Sequence, residues 1–193
     1  FTRTFQPESL MLFLSIGAVD GLIRWLVGER WPPFIQAAVL GSLSLLVKIP
    51  ALLLGLPMAY LVLQRFGRRA FLKPKVYLLA AVMLLPAAVW YYHASHFPVS
   101  FGIWSGDAQK WFDIHHWLDI RFYRVVFYQR FTEFILLWPG VILTIVGFFL
   151  PQPDKKSYFV QVWLLSSILF IFVATLGNWT HVYYQLPVLP PAA

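Results

Sequence analysis

Six apolar runs, at Leu10–Val27, Phe34–Val47, Ala51–Leu63, Val76–Tyr92, Phe134–Leu150 and Tyr158–Leu176, constrain this chain more than any other feature. Runs of this kind suit a hydrocarbon core of roughly 30 Å, where only helices and closed barrels satisfy every backbone N–H and C=O. Composition agrees, with 60% of residues hydrophobic and 12% charged, against about 25% charged in ordinary soluble domains. A soluble core cannot absorb so much apolar side chain. The expected fold class is therefore all-α: a polytopic integral membrane protein with about six transmembrane helices.

The second and third runs need an argument. One helix over Phe34–Leu63 would be about 45 Å long at 1.5 Å per residue, and would carry Lys48 and Pro50 at its centre. Proline removes a backbone donor and restricts the residue before it. A break around Lys48-Ile49-Pro50 follows, giving two short spans.

Lys and Arg are retained on the cytoplasmic face. Gln64–Lys75 holds Arg65, Arg68, Arg69, Lys73 and Lys75, and Pro151–Ser157 holds Lys155 and Lys156 against Asp154. Both are expected inside, with Gly28–Pro33. Parity then puts Phe1–Ser9, Lys48-Ile49-Pro50, the long loop 93–133 and Gly177–Gln185 outside. The net charge of +7 is spread between apolar runs and forms no continuous basic face, so nucleic acid is excluded as a partner. Cys is absent, which removes disulfides and thiolate metal sites.

Unusual polar residues gather on the expected outer side. Lys48 puts an ammonium beside a helix break at membrane depth, which costs about 2.5–3.5 kcal/mol at the centre of a span. A phosphate at a lipid headgroup is the natural partner; snorkelling to the interface is the plainer use of such a lysine. Arg3 and Glu8 precede the first span, and Glu8 also suits a helix cap. Asp20 and Arg24 lie four apart in the first run, as an intrahelical pair does. His93 ends the fourth run. The loop 93–133 is dense in aromatics, and its second half, Trp117–Phe134, reads as an amphipathic helix with Arg121, Arg124 and Arg130 among apolar residues, resting on lipid or covering a cavity. Beyond the last run, Gly177-Asn-Trp-Thr-His181-Val-Tyr183-Tyr184-Gln-Leu-Pro187 plants a histidine and two tyrosines where a span meets water. No zinc-ligand spacing is present.

Phe1-Thr-Arg3-Thr-Phe-Gln-Pro7-Glu8, Leu45-Leu-Val-Lys48-Ile-Pro50, Leu85-Pro86-Ala-Ala-Val-Trp90-Tyr-Tyr-His93 and His181-Val-Tyr183-Tyr184-Gln-Leu-Pro187 resemble, in order, landmarks of the GT-C fold glycosyltransferases. These enzymes depend on polyprenyl-phosphate sugars, and the likeness is to the aminoarabinose transferase and protein O-mannosyltransferase group. The resemblance implies one transmembrane domain over residues 1–193, cut at both ends, which passes a sugar with inversion from a polyprenyl-phosphate donor to an acceptor. The acceptor is not identified. The work would be done on the outer face of a membrane, for a bacterium the inner membrane facing the periplasm, with membrane lipids as further partners. It places Lys48, Arg3, His181, Tyr183 and Tyr184 at the donor phosphate, Glu8 as an acidic site residue, and His93 and Arg130 as outer-loop candidates. The catalytic acidic residue is expected upstream of Phe1. No cofactor is certain; a divalent metal ion is the one candidate, which Glu8 in place of the commoner Asp puts in doubt. A transporter or lipid flippase is the alternative, because broken helices with a charge at the break occur there; a non-catalytic membrane subunit is the third reading.

Overall fold

The computed structural model describes residues 7–96, 114–150 and 157–193. All regular structure among the described residues is helical, as the apolar runs predict. The chain divides into two compact units, Phe1–Gly106 and Asp107–Ala193.

The first unit is built on a hairpin of α1 (Pro7–Gly28) and α2 (Trp31–Val47). Proline suits the opening turns of both, where its missing N–H leaves no bond unmade. Small residues bring the two helices close. Ala18, Ala37 and Ala38 are buried, and a Cβ on Gly21 would lie 2.7 Å from the backbone nitrogen of Ala37. Such contacts replace the hydrophobic drive that lipid cannot supply. Ser44 Oγ donates to the Met11 carbonyl at 3.0 Å, which leaves Ser15 Oγ to donate to Ser44 Oγ at 2.8 Å.

The expected break is present. Lys48 is extended, with φ −162° and ψ 131°, between α2 and a 3₁₀ segment, Ile49–Leu54. Pro50 sits in the first turn of that segment, where it interrupts no hydrogen bond. Then come α3 (Gly55–Phe66), a 3₁₀ turn over Gly67–Leu72 and α4 (Pro74–Ala94). Between α3 and α4 lies an apolar cavity of about 330 Å³, whose lining reaches from Leu45 and Ala51 to Phe71 and Tyr77.

The second unit contains α5 (Ile114–Leu118), α6 (Ile120–Tyr123), a π-helical segment Arg124–Ile135, α7 (Leu137–Phe149), α8 (Phe159–Val173), α9 (Thr175–Thr180), a 3₁₀ segment Val182–Val188 and α10 (Leu189–Ala192). The amphipathic segment read at Trp117–Phe134 is helical but interrupted at Asp119, whose carboxylate accepts from the Arg121 backbone N–H and caps α6. Its apolar face covers a core. Phe122 and Val126 are fully buried with Leu164, Ile171 and Val188, and Trp117 Nε1 donates to the Phe172 carbonyl at 3.0 Å.

Among the described residues three segments are long and apolar enough to cross a membrane: Pro7–Gly28, Ile49–Leu72 and Pro74–Ala94. Six full spans are not shown. The fifth apolar run, as Leu137–Phe149, meets the preceding segment Ile120–Ile135 at a bend of 107°, while α2 and α8 are shorter apolar helices. The bend falls on Leu137, at φ 58°, two residues before Pro139, which lacks the N–H that a continuous helix would use.

Candidate functional site

Glu8 and Lys48 meet at one end of the first unit. Glu8 sits in the first turn of α1 with its side chain 3% exposed, and the Lys48 ammonium, 19% exposed, donates to Glu8 Oε1. The helix break makes this possible: an extended Lys48 turns its side chain away from the α2 ladder, while its N–H still closes that ladder on Ser44 O at 3.1 Å. The ammonium is the outer member of the pair. Tyr91 Oη donates to the Leu45 carbonyl at 3.1 Å, which ties the last turns of α4 to the same end. His93, exposed, follows two residues later. Arg3 lies outside the described residues.

Glu8 was expected as a helix cap or an acidic site residue; its carboxylate is taken up by Lys48. That pairing lowers the cost of holding either charge at membrane depth. Asp20 and Arg24 form the expected i,i+4 ion pair, and Gln36 joins it from α2, accepting from Arg24 at 2.6 Å and donating to Asp20 at 3.1 Å.

In the second unit His181, Tyr183 and Tyr184 come together as a stack. The His181 ring lies 5.0 Å from Tyr183 at 16° and 5.8 Å from Tyr184 at 26°, and Tyr184 stacks on Phe170 at 6.3 Å and 10°. All three are half-buried. Gly177 makes room for them, because a Cβ there would lie 2.7 Å from Tyr184 Cε1. Arg130 donates from its two terminal nitrogens to the carbonyls of Asn178 and Trp179. It thereby holds the C-terminal end of α9, where a cation meets the helix dipole favourably.

Two residues passed over in the sequence complete this cluster. Asn178 and Gln185 are fully buried, and Gln185 Nε2 donates to the Asn178 carbonyl at 2.7 Å. A fully buried amide in an apolar segment is costly unless bonded, so Asn178 in the quoted motif was a signal. Among the described residues no three His, Asp or Glu side chains come together in a way that could hold a metal ion.

Comparison with known families now bears on the first unit. The model of the dolichyl-phosphate-mannose-protein mannosyltransferase family matches residues 1–93. Over that stretch the chain is like a GT-C glycosyltransferase. The matched stretch holds α1 to α4 up to His93, and so includes both Glu8 and Lys48. No curated protein and no solved structure matches the chain. Apolar helices of spanning length together with this family likeness make the chain part of an integral membrane protein.

Proposed function

We propose that the protein containing this chain moves a sugar from a polyprenyl-phosphate donor to an acceptor on the outer face of the membrane, and that Lys48 meets the donor phosphate. The observation that carries this reading is the Glu8–Lys48 pair at a helix break inside the family-matched stretch. The buried carboxylate holds the more exposed ammonium, so Lys48 is fixed in place at the helix break. The apolar cavity between α3 and α4, lined at one end by Leu45 and Ala51, suits the isoprenoid chain of such a donor.

In the transfer, a bond forms between an acceptor oxygen and the anomeric carbon as the bond from that carbon to the phosphate oxygen breaks. The electron pair leaves with the polyprenyl phosphate, whose oxygens gain charge in the transition state. A fixed cation there stabilises that charge. The acceptor proton passes to a carboxylate acting as general base. The test is transfer of a radiolabelled sugar from its polyprenyl phosphate in membranes holding the protein. Replacing both Glu8 and Lys48, as Glu8→Gln with Lys48→Met, should abolish transfer at wild-type protein level. Transfer at the normal rate would refute the assignment.

A further inference from the structure

We infer that the opposite end of the first unit is a binding site for anionic phospholipid headgroups, independent of the sugar-transfer reading. Two turns meet there. Lys73 Nζ, from the start of α4, donates to both carboxylate oxygens of Glu29, in the α1–α2 turn, at 3.1 Å. The same ammonium lies 4.0 Å over the Phe66 ring, and Lys75 lies 5.1 Å over Trp31. These contacts fix two helical hairpins to each other at one level.

Charge at that level is one-sided. Around the Lys73–Glu29 pair stand Arg30, Arg65, Arg68 and Arg69, all exposed, and none of their side chains makes an ion pair or hydrogen bond among the described residues. Apolar side chains are presented beside them: Phe71 is 65% and Leu72 82% exposed. The turn that carries them is built. Gly67 adopts φ 56°, which a side chain there would strain, and Tyr77 Oη donates to the Phe71 carbonyl at 2.9 Å.

A solvated basic loop has no need of an outward Leu72 beside a Phe71 that is exposed at the edge of an apolar cavity. A membrane interface does, since the apolar pair enters the acyl boundary while the guanidinium groups meet phosphate oxygens. Attraction to an anionic leaflet is strong enough to count, at roughly a five-fold gain in association for each cation near the surface. The occupant is thus a glycerophospholipid with a net negative headgroup.

The test titrates the detergent-solubilised full chain with dioctanoyl phosphatidylglycerol and follows thermal unfolding. Phosphatidylglycerol should raise the unfolding midpoint, whereas dioctanoyl phosphatidylcholine and inorganic phosphate at equal concentration should not. Arg65→Gln with Arg68→Gln should raise the half-saturating concentration well above ten-fold, and Arg121→Gln, in the other unit, should leave it unchanged. If the double variant does not fold, Arg69→Gln alone decides, with an expected shift of about five-fold. Equal stabilisation by phosphatidylcholine, or by inorganic phosphate, overturns the inference, as does an unchanged half-saturation in the arginine variants.

Discussion

The Lys48 ammonium, at the break between α2 and the segment that follows it, pairs with Glu8, which lies 40 residues earlier in the first turn of α1. The carboxylate is the more buried partner, at 3% exposure against 19% for Lys48. Removing one partner of such a pair leaves a charge without its counter-ion, and the more buried charge suffers more. Lys48→Met should therefore destabilise the first unit, by about 3 kcal/mol, and more than Glu8→Gln does. The double variant should recover most of that loss. Thermal unfolding of the four proteins in one detergent checks the order. Equal stability of wild type and Lys48→Met would show that the pair is not held.

Gly177 limits what its neighbours can be. A methyl group there meets the Tyr184 ring, and overfilled sites typically cost 1–3 kcal/mol, so Gly177→Ala should lower stability by about that much. It should also disturb the stack of His181 on Tyr184. A compensating Tyr184→Leu, which removes the ring, should relieve the stability loss. If Gly177→Ala is harmless by itself, the stack does not depend on that close approach.

Arg130 is expected to act through backbone geometry. Its two nitrogens meet two successive carbonyls at the end of α9, a fork that lysine cannot reproduce. Arg130→Lys should then behave nearly as badly as Arg130→Gln, each losing on the order of 1.5–3 kcal/mol for a charged hydrogen bond in a half-buried site. Hydrogen exchange of the α9 amides reports the effect locally. Full protection in Arg130→Lys would reduce the contact to a simple charge effect.

The sequence made the helices of the first unit legible because their boundaries rest on local chemistry. Pro50 and Lys48 marked the break, and the Lys and Arg residues of Gln64–Lys75 marked a helical end. The partner of Lys48 was not legible, because a contact over 40 residues leaves no trace in periodicity or spacing. The second unit was read less well. The change of direction by 107° between Ile120–Ile135 and Leu137–Phe149 falls where the amphipathic segment Trp117–Phe134 meets the run Phe134–Leu150, but its angle was not legible; Pro139 was the available signal. The run ending at Leu176 likewise breaks at Ala174, at φ −105° and ψ 57°, where no proline or glycine announces it. The family likeness follows the same division, since it covers residues 1–93.

The central claim is that Lys48 meets a lipid-linked phosphate, and binding of farnesyl phosphate to the detergent-solubilised protein tests it most directly. Comparison of the wild type with the Glu8→Gln/Lys48→Met double variant avoids leaving a buried charge unpaired. Loss of a charge-assisted bond to phosphate should weaken binding roughly ten- to hundred-fold in a protein that unfolds at nearly the wild-type temperature. Unchanged affinity in the folded double variant would contradict the account and leave Lys48 as the counter-ion of Glu8 alone.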